Sequence, residues 1–184
     1  MTGGPAGPLE GLMVGGVCAG YGGLELATEQ MGGTTRWMVE YEPNARKVLR
    51  ARWPKVKLYR DLRELDWARL APVDVMVAGF PCQPVSQAGR QKGTADERWI
   101  WPYIADGIGV LEPRWVLLEN VRGILTANGG AAMGEVLGTL ADLGFDAEWC
   151  CVRAGEVGAC HRRERWFCVA RHTDRMAGAT TGSW

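Results

Sequence analysis

The sequence lacks several features, and each absence removes a class of function. It has no net charge, with 21 basic and 21 acidic residues. A protein that grips nucleic acid unaided usually carries a basic surplus, so any contact with DNA must come from a local patch. No apolar run approaches the ~20 residues that span a bilayer, so no membrane role is expected. Residues 1–11 are rich in Gly and Pro and lack the basic-then-apolar order of a secretion signal, so they read as a loose leader. No Cys-x-x-Cys pair occurs among the six cysteines. Cys150, Cys151, Cys160, His161 and Cys168 invite a zinc reading, but Cys150 and Cys151 on one strand face opposite sides, so no metal is expected. Without framework spacing or a signal, the thiols are expected to be reduced, which points to a cytoplasmic setting. There is no internal repeat, low-complexity block or linker, and 184 residues suit one domain.

What is present is an alternation of short apolar runs with helical stretches, the mark of an α/β protein with a mostly parallel, doubly wound, Rossmann-like sheet. Strands are expected at 12–18, 36–40, 56–59, 73–78 and 115–119. Helices are expected from the glycine turn to about 31, then at 43–53, 99–111 and 131–143, the last ending at Gly144 as a left-handed cap. Two strands, 145–152 and 165–170, close the sheet. The domain runs over 12–171, and the Gly/Thr-rich tail, 172–184, reads as loose.

Open sheets of this kind place their chemistry at the carboxyl ends of the strands. Gly20, Gly22 and Gly23 follow the first strand, let a ligand approach the backbone closely, and open a helix whose N–H groups suit an anion. Glu40 ends the second strand about twenty residues later, where an acid binds ribose hydroxyls. Asp61 follows the third strand and is placed to accept a hydrogen bond from an adenine amino group. Tyr41 and Trp101 are candidates to flank that ring. After the fourth strand comes Gly79-Phe80-Pro81-Cys82-Gln83, which sets a cysteine, the most nucleophilic uncharged side chain, on a rigid loop. Glu119 closes the fifth strand, so a carboxyl and a thiol can share one pocket. Arg163 and Arg165, two residues apart at a strand start, fall on one face, suited to hold an anion or polarise a carbonyl.

Taken in order, these segments resemble the cytosine-C5 DNA methyltransferase family over roughly 12–170. Ala19-Gly20-Tyr21-Gly22-Gly23, Glu40-Tyr41, Asp61-Leu62, Gly79-Phe80-Pro81-Cys82-Gln83, Glu119-Asn120-Val121 and His161-x-Arg163-x-Arg165 carry the likeness. The resemblance implies an S-adenosylmethionine-dependent methyltransferase fold. It implies cofactor contacts from Cys18, Gly20, Tyr21, Gly22, Gly23, Glu40, Tyr41, Asp61, Leu62 and Pro81. Catalysis would fall to Cys82, Glu119, Arg163 and Arg165. Cys82 thiolate adds to C6 of cytosine, Glu119 bonds N3 and the 4-amino group, and an arginine holds O2. Position C5 then takes a methyl group, loses its proton, and Cys82 leaves. The base is flipped out of the duplex, and Ser86, Arg90, Lys92 and Arg98 are candidates for flanking phosphates.

The sequence departs from the family pattern at identifiable places. Cys18 stands where an aromatic is usual, Gly15-Gly16 where an Asp is usual, and His161 where Gln is usual. The fourteen residues 171–184 are too few for a target-recognition domain, so none is expected in this sequence. The expectation is therefore a catalytic portion, as in restriction-modification, that acts on double-stranded DNA with a second polypeptide for recognition. The alternatives are a non-catalytic remnant that binds cofactor or a partner, and an RNA cytosine methyltransferase.

Overall fold

The computed structural model describes residues 7–81 and 99–176. Seven strands form one sheet: β1 (Met13–Val17), β2 (Thr34–Val39), β3 (Lys57–Tyr59), β4 (Val75–Gly79), β5 (Trp115–Val121), β6 (Phe145–Arg153) and β7 (Glu164–His172). Their order across the sheet is β3-β2-β1-β4-β5-β7-β6. The first five are parallel, while β7 runs antiparallel between β5 and β6. Four helices connect them: α1 (Gly23–Gln30), α2 (Pro43–Arg52), α3 (Trp101–Leu111) and α4 (Ala131–Asp142).

Local sequence explains the helix ends. Glu42 accepts a hydrogen bond from the Ala45 N–H and Pro43 occupies the first turn, so α2 starts where its φ is already set. Helix α4 ends ahead of Gly144, whose φ of +83° continues the left-handed turn expected there. Strand β7 extends to His172, two residues past the anticipated strand end, because His172 pairs with Phe145 and its ring meets Phe145 edge-on. At the other end, the Leu9 N–H bonds the Met31 carbonyl and Leu9 packs under the sheet, so part of the expected leader belongs to the fold.

Period-two alternation divides the core between the two faces. Met76 and Ala78 join the large cluster with Ile104, Ile108, Val136 and Leu140 of α3 and α4. Val75 and Val77 turn to the other face, with Val14 and Leu24 beside α1. The pair Gly15-Gly16 sits at the centre of β1, and each glycine makes room for a specific neighbour. The Trp37 ring crosses Gly15, where an added Cβ would lie 2.3 Å from the indole. The β1–β2 register slips by one residue at this point. The Glu25 carboxyl stands over Gly16.

Trp37 is buried and anchored by its Nε1–H to the Ala71 carbonyl at 2.9 Å, so it cannot swing away cheaply. Gly15→Ala is therefore expected to destabilise the fold by about 2 kcal/mol, the usual range for overpacking a core. A drop in the urea midpoint at unchanged slope is the measurement that checks it.

Candidate functional site

The carboxyl ends of β1, β2, β4 and β5 lie side by side, and two cavities open above them. The chain leaves β1 through Cys18, held at φ +52°, and turns at Gly22, φ +84°, into α1. A side chain at Gly22 would also strike the Trp53 ring of the segment after α2, so backbone angle and packing both require glycine there. The next turn is tied to this one by Glu40. Its Oε2 accepts the Gly20 N–H at 2.6 Å and its Oε1 accepts the Glu42 N–H at 2.7 Å. Each oxygen keeps a lone pair for another donor.

The first cavity, about 440 Å³, lies on the β2–β3 side. Glu40, Tyr41, Asp61, Leu62, Gly20, Cys18 and Pro81, all expected at a cofactor site, line it together. It also takes in Val39, Arg60, Arg63, Gly79 and Ile100, which sequence reasoning missed. Carboxylate acceptors beside apolar walls fit a ribose with a flat heterocycle, and no side chain caps the first turn of α1. Asp61 is more heavily engaged than expected. Its Oδ1 accepts both the N–H and Nε–H of Arg63, and Oδ2 accepts a third bond at 2.6 Å. Arg63 holds the Asp61 carboxyl below the usual carboxylate range and leaves Oδ2 one acceptor position. The Arg60 and Arg63 guanidinium groups lie over the half-exposed Tyr41 ring, at 5.7 and 5.5 Å.

The Trp101 expectation is corrected. Trp101 is 1% exposed and packs on Phe80 inside the core, because α3 turns Trp101, Ile104 and Ile108 inward together. Ile100, one residue earlier, reaches the cavity instead.

The second cavity, about 570 Å³, adjoins the first through Cys18, Gly20 and Gly79. Gly23, Tyr21 and Glu25 line it from α1 and its turn, and Glu119, Arg163, Arg165 and Phe167 from the sheet. Glu119 pairs in register with Gly79, and its Oε2 faces the space a Gly79 side chain would fill. Oε1 is bound by Arg165 at 2.8 Å, with Arg163 at 4.0 Å. The two arginines thus share a face, as their spacing predicts, and the anion they hold is Glu119. Asn120 is the other residue of this motif with a visible task. Buried, it donates to the Phe80 carbonyl at 3.0 Å and so pins the backbone directly before Pro81. His161 is exposed and accepts the Arg163 N–H through Nδ1. Cys82, Ser86, Arg90, Lys92 and Arg98 lie outside the described residues. A cavity of similar size on the β5–β7–β6 face, beside Trp115, Val169 and Arg171, gathers none of the expected site residues.

Negative charge accumulates beneath the glycine turn. Burial, then Glu40, Glu25 and Asp61, push the Cys18 thiol up to about 12, so it stays protonated and is no nucleophile. Glu25 is 1% exposed, and neither carboxyl oxygen has a hydrogen-bond partner. Burial pushes its carboxyl up to about 7, the nearby N–H of its own backbone opposes this without making a formed hydrogen bond, and Glu29 and Glu40 add to the rise. The folded state therefore binds a proton that the unfolded chain releases near ~4.3. Stability falls as pH climbs from there to about 7, by roughly 3 kcal/mol in total. Glu25→Gln is expected to flatten that slope, so the two proteins should diverge in melting temperature as pH rises through this window, with the variant higher at neutral pH and above.

No group of three or more His, Cys, Asp or Glu side chains suited to a metal occurs among the described residues. No described helix is long and apolar enough to cross a membrane.

The sequence pattern of the C-5 cytosine-specific DNA methylase family matches residues 12–181. Type II methyltransferase M2.BsuMI of Bacillus subtilis is 35% identical over 157 residues, covering 83% of this chain and 40% of that protein. Type II methyltransferase M.NgoMIV of Neisseria gonorrhoeae is 32% identical, covering 84% of this chain and 50% of its own length. The chain thus spans half or less of the length of these relatives. Among solved structures, the S. pombe Dnmt2 methyltransferase superposes with a TM-score of 0.74 at 19% identity, over 94% of this chain and 53% of that one. A DNA modification methyltransferase from an E. coli prophage gives 0.74 at 21%, over 89% and 47%. At such identity these two attest the fold, a methyltransferase-type α/β sheet. The length of the sequence match, with its glycine turn and Glu119 at the strand ends, makes this chain a member of the C-5 cytosine-specific DNA methylase family.

Proposed function

We propose that the chain is the catalytic portion of an enzyme that methylates C5 of cytosine in double-stranded DNA, with target recognition supplied by a second polypeptide. One observation carries the reading: the Glu119 carboxyl stands beside Gly79, at the root of the Pro81-Cys82 loop, where two cavities meet. The cavity on the β2–β3 side suits S-adenosylmethionine, which when bound supplies an electrophilic methyl group on a sulfonium. Glu40 would hold the ribose hydroxyls, Leu62 and Ile100 the faces of the adenine, and the uncapped start of α1 the carboxylate. Asp61 Oδ2 keeps the acceptor position that an adenine amino group needs.

The second cavity then receives an extruded cytosine. Cys82 adds as thiolate to C6, which breaks the ring conjugation and makes C5 nucleophilic. Glu119, taking up a proton on Oε2, the oxygen Arg165 leaves free, donates it to N3 and so neutralises the charge that develops there, while the 4-amino group donates to the same carboxyl. Arg163, the more loosely held of the two arginines, is available for O2. C5 would take the methyl group, leaving the donor sulfur as a neutral thioether; water would then remove the C5 proton, and the C–H electron pair would re-form the C5–C6 double bond as the C6–S bond breaks and returns Cys82 as thiolate. Asn120 contributes by fixing the Phe80 carbonyl, which keeps the loop root in line with Glu119.

With its recognition subunit, the protein should form a covalent adduct with duplex DNA carrying 5-fluorocytosine, and Cys82→Ser should abolish it on a denaturing gel. An adduct that survives in the Ser variant would overturn the nucleophile assignment. Cofactor-induced thermal stabilisation with no transfer in any combination would favour a binding remnant, and transfer to RNA alone would replace the substrate. Glu119→Gln is expected to lower tritiated-methyl incorporation roughly 100- to 1000-fold, the usual loss when one preorganised donor or acceptor is removed.

A further inference from the structure

The flank beside β3 carries the densest charge of one sign in the molecule. Residues 43–63 contain eight Lys or Arg against a single acid, while the rest of the chain carries 13 basic and 20 acidic residues. Helix α2 descends from Pro43 near the cofactor rim to Arg52, and β3 climbs back to Tyr59 at that rim. Lys47, Arg50, Arg52, Lys55 and Lys57 thus lie along this flank, all of them exposed. Among the described residues, none of the five meets a carboxylate. None lines either cavity of the site.

That pattern is costly in isolation. Solvated helices usually alternate signs at three- and four-residue spacing, whereas here Arg46 and Lys47 both face Arg50 with like charge. Arg50 and Arg52 recover some energy at the negative end of α2, and Lys57 protects an edge strand from mispairing. Lys47 is only weakly compensated, by attraction to Glu42 and a hydrogen bond to Asn44 Oδ1, and Lys55 has neither helix-end nor edge-strand compensation. A surface that tolerates such repulsion with so little internal counter-charge is complementary to a polyanion. Its one large exposed apolar side chain on α2, Val48, is too little for insertion into a lipid surface.

We propose that this flank docks the phosphate backbone of duplex DNA outside the catalytic rim, a sequence-independent contact that retains the substrate on a chain with no net charge. The choice of DNA rests on the proposed function, while the charge band does not. Such contacts release counter-ions, so binding must weaken with salt in proportion to the phosphates engaged.

The test is fluorescence anisotropy of a labelled random-sequence DNA duplex against the full chain over a series of KCl concentrations, without cofactor. The triple variant Lys47→Gln, Arg50→Gln, Lys55→Gln should lower the slope of log affinity against log salt by about 3, one for each lost phosphate contact. A charge-preserving pair, Lys47→Arg with Lys55→Arg, should keep the slope, as should Arg69→Gln, which removes a paired cation elsewhere. Circular dichroism melts show whether the triple variant folds, and unchanged thermal stabilisation by S-adenosylmethionine shows that its cofactor cavity is intact. An unchanged slope in the triple variant, no duplex binding by the wild type at low salt, or preference for anionic phospholipid vesicles or RNA over DNA each overturns the proposal. Loss of methyl transfer with an intact salt slope would count against the catalytic reading and leave the docking surface standing.

Discussion

Glu40 holds the site together. Its buried carboxylate accepts one backbone N–H from the turn after β1 and one from the turn after β2. Two strand ends that would otherwise carry independent loops become one floor. Hydrogen bonds to an ionised acceptor are about twice as strong as neutral ones, and here they cross from one strand connection to the next. The cavity beside this floor, its wall from β3 and its border with the second cavity at Cys18 all follow from that tie.

The same choice concentrates negative charge. Glu40 and Asp61, with Glu25 once it ionises, press on Cys18. Arg63 binds Asp61 from the exposed side, and Arg165 serves Glu119 across the sheet. The cost of burying an acid here appears as the unpartnered Glu25 carboxyl. On the far side of the Cys18 ridge, the arginines of β7 and the turn before it project over Glu119.

Much of this was legible in the sequence, for reasons that differ by element. The parallel strands read clearly because residues such as Val75–Gly79 are buried on both faces and form continuous apolar runs. The ordered acids and glycines read clearly because their roles depend on strand ends, which a topology of this kind brings together. The phase of α3 was harder. An apolar helix start offers both Ile100 and Trp101, and only packing against Phe80 shows that the larger one turns inward. The Asp61–Arg63 pairing was hidden because two residues apart in a chain implies no contact until a tight turn makes one.

Sequence alone determined the order of strands and helices, the glycine turn, and the likeness of the Pro-Cys and Glu-Asn-Val segments to one family, because each is a local pattern of residue types. Tertiary structure decided what those residues meet. Glycines at 15 and 16 read as a departure from the family pattern, yet they admit the Trp37 ring and the Glu25 carboxyl into the centre of β1. Asn120 read as part of a motif and proved to be the clamp on the Phe80 carbonyl. Contacts of that kind join residues forty positions apart, and only the folded sheet sets the distance between them.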